Sequence, residues 1–506
     1  MALIGVLNMF VIKNRNNYFK IKRSSLMHKY LITIFTLLLM VSNFVVAQQK
    51  NVLIICVDDL RPELNSFGAS YVHSPNIDSL ASVGRAFSRH YVNSPSCGPS
   101  RYAFLTGQYG LEYRGASNQS LFKRAEATQD KNASIAASMP EWFRNNGYTT
   151  VSVGKVSHHP GGRGGENWDD QNIPEMPNAW DKHLMPVAEW ETPKGAMHGL
   201  SFGKVRTAND RDVLETVDAN DKSYPDGHIA EEGLKQLGEL AKGDKPFFLA
   251  IGLIKPHLPF GVPKRYLDRY KNAEIPPALH PGKPEGVTTW HDSGEFMGYN
   301  RWGKDPREDK DFALELKKYY AACVSYADKH VGDIIKKLKE TGADKNTIIV
   351  VWGDHGWHLG EHAIWGKHSL FEESLKSPLI IYDPSMDNKG QMTDAIVESV
   401  DVFPTLCEMT TLPIPDFAQG TSLKPIVENA DAEGHEAVAF KSHATTIRTN
   451  QYRFVQHKGG EVELYDHQTA AAEQVNISEE NPEVVKQLKD KMVAKMGKKA
   501  FIFAVK

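Results

Sequence analysis

The chain has 506 residues, 41% of them hydrophobic and 24% charged, which is ordinary for a soluble globular protein and long enough for one large domain with a smaller one beside it. No internal repeat or low-complexity segment is evident. Six of the 59 lysines and arginines and none of the 62 acids fall in residues 1–47, so the remainder carries a net charge of −9. Such a chain does not attract a polyanion as a whole, nucleic acid included, and any anion has to be held by a local cationic pocket.

Residues 1–47 read as a secretory signal region. Met27 is a candidate for the true start. His28 and Lys29 lead into an apolar run over 30–41, and Val45-Val46-Ala47 suits cleavage. The run is short for a membrane span and no cysteine follows it, so no stable span and no lipid anchor is expected after cleavage. The expected location is the periplasm, the cell surface or the medium. Four cysteines in an exported chain could pair. Cys56 sits in an apolar strand, Cys97 in a chemically suggestive motif and Cys323 in a helical pattern. That leaves Cys407 alone, so no disulfide framework is expected, although one bridge stays open.

Asn51-Val52-Leu53-Ile54-Ile55-Cys56-Val57 is a continuous apolar run, the pattern of a strand buried on both faces. Asp58 and Asp59 follow at once. Two adjacent carboxylates there are either a solvated turn or a pair waiting for a cation. After the Ser74-Pro75 turn, Asn76 can cap a helix from Ile77 to about Phe87. Cys97-Gly98-Pro99-Ser100-Arg101 then reads as a helix start, with Ser96 as cap, Pro99 in the first turn and Gly107 as stop. Arg101 lies four residues after Cys97, so both can face one spot, at a helix end that suits an anion.

Thr149-Thr150-Val151-Ser152-Val153 is a second strand, ending in Gly154-Lys155-Val156-Ser157-His158-His159. Residues 160–225 are rich in Gly, Pro, Trp and Asp and weakly periodic, as functional loops often are. A third strand over 246–253 ends in Ile254-Lys255-Pro256-His257. A long amphipathic helix spans 312–341 and stops at Gly342. A fourth strand over 347–352 ends in Gly353-Asp354-His355. A loop with Lys367 precedes a fifth strand over 378–382. From 416 the character changes. Residues 445–455 and 461–466 read as strands joined through Lys458-Gly459-Gly460, and 484–496 as a closing helix. The expected architecture is an α/β sandwich on a largely parallel sheet over 48–415, with a small antiparallel sheet and helix over 416–506. Ligands bind beyond the carboxyl ends of such strands. Asp58, Asp59, Lys155, His158, His257, Asp354 and His355 all stand at strand exits.

The Cys97-Gly98-Pro99-Ser100-Arg101 stretch resembles the Cys-x-Pro-Ser-Arg signature of type I sulfatases, in which the cysteine is oxidised to formylglycine. The resemblance runs over nearly the whole mature chain and is nearest to iduronate-2-sulfatase-like members. Its other carriers are Val57-Asp58-Asp59-Leu60-Arg61-Pro62, Gly154-Lys155-Val156-Ser157-His158, Lys255-Pro256-His257-Leu258-Pro259-Phe260, the run from Asp354 to His362, Trp365-Gly366-Lys367 and Ile447-Arg448-Thr449. It implies an alkaline-phosphatase-like fold and one divalent cation, usually calcium, held by Asp58, Asp59, Asp354, His355 and modified Cys97. His355 stands where many sulfatases carry Asn or Gln, although iduronate-type members carry His, and imidazole is softer than calcium prefers.

The chemistry asks for the same set. A plain thiolate has no internal route to expel sulfate once it is sulfurylated, whereas a formylglycine hydrate carries two hydroxyls, one to attack sulfur and one to eject sulfate. By this reading Arg101 orients the hydrate, Lys155 and Lys367 hold the sulfuryl oxygens, His257 protonates the leaving alcohol and His158 accepts the proton that triggers sulfate release. His159, His358, His362 and Trp365 stand equally well as pocket lining or as packing. The implied partners are a sulfated saccharide, such as a glycosaminoglycan or ulvan, and a formylglycine-generating maturation enzyme. The competing readings are a phosphatase or phosphonate monoester hydrolase of the same superfamily and a non-catalytic glycan-binding protein.

Overall fold

The computed structural model describes residues 49–110, 117–127, 135–159, 175–186, 200–201, 204–205, 211–387 and 389–496. The expected signal region at 1–47 and much of the irregular 160–225 stretch lie outside them. Among the described residues no helix is long and apolar enough to cross a membrane.

The central sheet has eight strands: β1 (Asn51–Val57), β2 (Arg85–Tyr91), β3 (Thr149–Gly154), β4 (Lys182–Leu184), β5 (Phe247–Leu253), β6 (Thr347–Gly353), β7 (Leu379–Tyr382) and β8 (Met392–Glu398). Their spatial order is β8-β2-β7-β6-β1-β5-β3-β4. All pairings are parallel except those of β7, which runs against both β6 and β2. β1, β5 and β6 are buried almost residue for residue, because apolar layers cover both faces. One layer holds α1 (Pro75–Ala81), α3 (Pro225–Leu240) and α4 (Lys310–Thr341), and the layer on the other face holds α2 (Cys97–Thr106) and α5 (Val402–Met409). α3 and α4 pack with Leu53, Ile55, Leu249 and Ile251, whereas α2 and α5 pack with Val52, Ile54, Phe248 and Val350. Alternate residues of the same strands thus feed opposite cores.

The expected helix over 77–87 is corrected. α1 ends at Ala81, and Arg85–Tyr91 forms β2 instead. Ser82-Val83-Gly84 breaks the helix, and β2 gains a ladder on each side that a longer helix would forfeit. The C-terminal sheet also has more strands than expected. It runs β9 (Ala437–Lys441), β10 (Ala444–Arg448), β11 (Tyr452–His457), β12 (Val462–Asp466), all antiparallel, followed by α6 (Pro482–Met496). The expected single strand over 445–455 is a hairpin turning at Thr449-Asn450-Gln451. The described residues from 50 onward form one compact unit, with this sheet inside it. Its apolar face, with Val438, Ile447 and Phe454, packs together with Leu488 and Met492 of α6 and with Ala103 of α2, Tyr109 and Val400. All four cysteines are free and buried.

Candidate active site

The exits of β1, β3, β5 and β6 lie at one edge of the sheet because those strands are parallel and in register. β7 runs the other way, so the loop that precedes it, with Lys367, returns to that same edge. Cys97 opens α2 there. Close packing at this edge depends on glycine: a Cβ on Gly252 would lie 2.1 Å from the Lys155 carbonyl carbon, and one on Gly98 2.3 Å from Asn118 Cα. Ser96 occupies the cap position of α2 with extended backbone, but its side chain caps nothing. The Asn118 Oδ1 accepts from Gly98 N–H at 3.1 Å in its place.

Asp58, Asp59, Arg101, Lys155, His257, Asp354 and His355 are fully buried, and Cys97 and Lys367 are 2% exposed. Arg101 is the hub. Its Nη2 reaches Asp58 Oδ1 and Asp354 Oδ2 at 3.0 Å each, and its Nη1 donates to the carbonyls of Lys155 and Val156. The Lys155 ammonium pairs with Asp58 Oδ2. Lys367 Nζ lies 2.7 Å from Asp59 Oδ1 and 3.3 Å from Cys97 Sγ. Asp59 has a left-handed backbone, φ 58°, held by its N–H on Asp354 Oδ1 and by the Tyr320 hydroxyl on its carbonyl at 2.7 Å.

The histidine tautomers follow from their neighbours. His355 Nδ1 faces the Gly356 carbonyl at 2.9 Å, and a carbonyl only accepts, so Nδ1 carries the proton. The Nε2 lone pair then points into the cluster, 3.2 Å from both Cys97 Sγ and Asp59 Oδ1. His257 Nδ1 likewise faces the Leu258 carbonyl at 2.7 Å, and its Nε2 lies 3.9 Å from Asp59 Oδ2 and 3.5 Å from Glu295 Oε1. Burial, aided by Lys367, holds His257 well below the usual imidazole range, so the resting ring is neutral. His158 is buried on the turn after Lys155, its ring edge-on to His159 with centroids 4.4 Å apart.

The donors suit a divalent cation. Asp58, Cys97, Asp354 and His355 each offer a ligand atom within 4.8 Å of the others, as do Asp58, Asp59, Cys97 and His257. Asp59 Oδ2 is buried with no hydrogen-bond partner, a costly state that a bound cation would relieve. Burial raises Asp59 and Asp354 above the ordinary carboxyl range, and the neighbouring Asp58 adds to this. Burial would raise Asp58 too, but Lys155 and Arg101 hold it well below that range. Burial pushes the Cys97 thiol to about 12 in spite of Lys155 and Lys367. An unmodified Cys97 is therefore a protonated thiol, poorly suited to attack.

Three residues near the cluster had no sequence signal. Glu295 opens the short helix Gly294–Met297 inside an irregular stretch and touches His257 and Lys367, the latter at 3.7 Å. Tyr320 is one of several aromatics on the α4 stripe. Asp226, near the start of α3, accepts from the Ile254 and Lys255 N–H groups and sets the exit of β5. The histidines that stood equally as pocket lining or packing are packing. His358 bonds the Glu361 carbonyl and Ser369, and His362 stacks on Phe371 at 4.2 Å. Trp365 is buried beside Phe296, and His159 bonds Gln119 at 3.1 Å and lies against Phe122. The first three brace the loop that carries Lys367.

The sulfatase family profile matches residues 50–412, and that of the N-sulphoglucosamine sulphohydrolase C-terminal region matches 360–498. The iduronate 2-sulfatase of Mus musculus is 32% identical over 405 residues, covering 72% of this chain and 69% of its own. Among solved structures, the phosphonate monoester hydrolase of Agrobacterium radiobacter superposes with a TM-score of 0.71 at 20% identity, covering 89% of this chain and 96% of its own. A protein solved in complex with its substrate D-glucosamine-2-N,6-O-disulfate superposes with a TM-score of 0.68 at 20% identity, covering 90% of this chain and 100% of its own. At such identities these two structures report the fold, which is alkaline-phosphatase-like.

Proposed function

This chain belongs to the sulfatase family of sulfuric ester hydrolases, and on that premise we propose that it is an exported enzyme that desulfates a saccharide, with residue 97 converted from cysteine to formylglycine. The observation that carries this reading is the position of Cys97 Sγ, 3.3 Å from Lys367 Nζ and 3.2 Å from His355 Nε2, on a helix start ringed by buried carboxylates. The saccharide class draws support from the iduronate 2-sulfatase likeness.

A divalent cation among Asp58, Asp59, Asp354, His355 and residue 97, with calcium expected, would supply charge stabilisation and acidify a hydroxyl at position 97. An aldehyde hydrate at that position supplies one hydroxyl to attack sulfur and another whose deprotonation re-forms the aldehyde and releases sulfate. The remaining work falls to the chain. Arg101, fixed by Asp58, Asp354 and two carbonyls, orients the hydrate. Lys155 and Lys367 hold the sulfuryl oxygens and offset their charge. His257 donates to the leaving alcohol from Nε2, after taking up a second proton there from solvent. Glu295, 3.5 Å away, steadies the charged ring. His158 takes the proton of the release step.

Parallel assays on 4-nitrophenyl sulfate and 4-nitrophenyl phosphate test the reaction. Turnover of the sulfate in preference to the phosphate is expected, and the reverse order would make the chain a phosphoryl hydrolase. Mass spectrometry of the peptide spanning residue 97 is expected to show formylglycine. An unconverted thiol throughout, together with saccharide binding and no turnover, would mark a glycan-binding protein.

A further inference from the structure

Outside the cluster around Cys97, two side chains gather on the backbone of Lys367 and His368, beside the His368 ring. The His291 Nε2 sits on the Lys367 carbonyl, and the Lys441 ammonium donates to the His368 carbonyl. The His291 and His368 rings are 6.2 Å apart. These residues come from an irregular stretch, from the loop before β7 and from the end of β9. Only the tertiary fold brings them together.

Their charge is unbalanced. Among the described residues no carboxylate lies within 4.0 Å of Lys441 Nζ, whereas most other buried cations near the site are paired with an acid. Its neighbours are imidazoles: burial, aided by Lys441, pushes both His291 and His443 down. Burial alone lowers Lys441 itself to about 8. Glu295, the acid nearest this group, is already in contact with His368 at 3.3 Å, His257 and Lys367. A half-buried ammonium without a counterion is unfavourable until an anion arrives. His368 leaves 38% of its side chain exposed and Lys367 only 2%, so this set meets solvent where the inner cations do not.

We propose that Lys441, with His368 and His291, forms a subsite for a second anionic group on the substrate, a carboxylate or another sulfate, carried beside the ester that is cleaved. The inference rests on the sulfatase reading and narrows its substrate to a saccharide with two negative groups. Lys441 grips the residue next to Lys367, so one saccharide can span both.

The test compares four substrates: 4-nitrophenyl sulfate, a monosulfated uronide, the same sugar with its carboxyl reduced to the alcohol, and a disulfated neutral sugar. The readout is the ratio of kcat/KM on each saccharide to that on the aryl sulfate, in wild type, Lys441→Met and Lys441→Arg. Because it is a ratio, partial unfolding of a variant cancels. Lys441→Met is expected to lower the ratio about tenfold, mostly through KM, for a doubly charged sugar and not for the reduced one, and Lys441→Arg to restore most of it. A fall confined to the uronide assigns a carboxylate, and a fall confined to the disulfated sugar assigns a second sulfate. Ratios that Lys441→Met leaves unchanged, or that fall equally for the reduced sugar, overturn the subsite. Wild-type chain that turns over no sulfate ester overturns the sulfatase reading itself and is recognised before any variant is made.

Discussion

Asp59 shows how much of this site is decided by single hydrogen bonds. A non-glycine residue at φ 58° persists only when its surroundings hold it, and here the Tyr320 hydroxyl donates to its carbonyl while accepting the Arg61 N–H at 3.0 Å. Tyr320→Phe would leave both groups buried and unsatisfied. It is expected to cost about 1–3 kcal/mol, read from denaturant unfolding, and to lower kcat through a displaced Asp59. Cys97→Ala removes three polar contacts, to Asp59, His355 and Lys367, and a small buried volume without breaking an ion pair. It is expected to keep the fold, judged by circular dichroism and the unfolding midpoint, and to reduce sulfate turnover to background. Retained turnover would exclude residue 97 as the nucleophile.

At the level of elements, the helix that opens with Cys97 is supported from behind by the C-terminal sheet and α6. Met492 is fully buried in that interface. Met492→Ala is expected to cost about 2–5 kcal/mol while KM on an aryl sulfate stays near the wild-type value. Arg448 and Arg453 of the same sheet reach Glu372, just after the Lys367 loop, at 3.3 and 2.6 Å. A second tie is sensitive to pH. His435 lies 2.8 Å from Asp401 and 3.7 Å from Glu398, which also receives Lys495 of α6. Burial lowers its pKa and Lys495 works the same way, but Asp401 and Glu398 win and raise it from 6.5 to about 9. Because the folded value lies above the unfolded one, the stabilisation is complete below about pH 6.5 and is lost as pH rises through 9. Unfolding free energy is expected to fall over that window by up to roughly 3 kcal/mol, and His435→Gln to flatten the fall.

For the whole molecule, three buried carboxylates meet three buried cations at one sheet edge, with an orphaned Asp59 oxygen left over. A cation that binds only the folded chain raises its stability by mass action, about 2.7 kcal/mol at a hundredfold excess over Kd. Removal of metal with a chelator is therefore expected to lower Tm and abolish turnover, and calcium to restore both. Asp59→Asn is expected to blunt the calcium-dependent rise in Tm. A Tm indifferent to chelation would argue against a resident cation.

For β1, β3, β5, β6 and β7, five of the eight strands of the central sheet, existence and position were legible in the chain itself, as were the residues at the exits of β1, β3, β5 and β6; β2, β4 and β8 were not. Continuous apolar runs announce β1, β5 and β6, and Asp58, Lys155, His257 and Asp354 follow those strands or β3 within a few positions. Such signals are local, because a strand buried on both faces must be apolar along its length. Ser82-Val83-Gly84 was read as continuing a helix because its neighbours fit that period. The ladders that make 85–91 a strand come from residues some three hundred positions away. Glu295, Tyr320 and Lys441 belong to the same class. Nothing in their own neighbourhoods marks them, and each acquires its role from the reversal of β7, the angle of α4 or the docking of β9. Local sequence decides what a segment can become, whereas only closure of the chain decides which distant charge will face it.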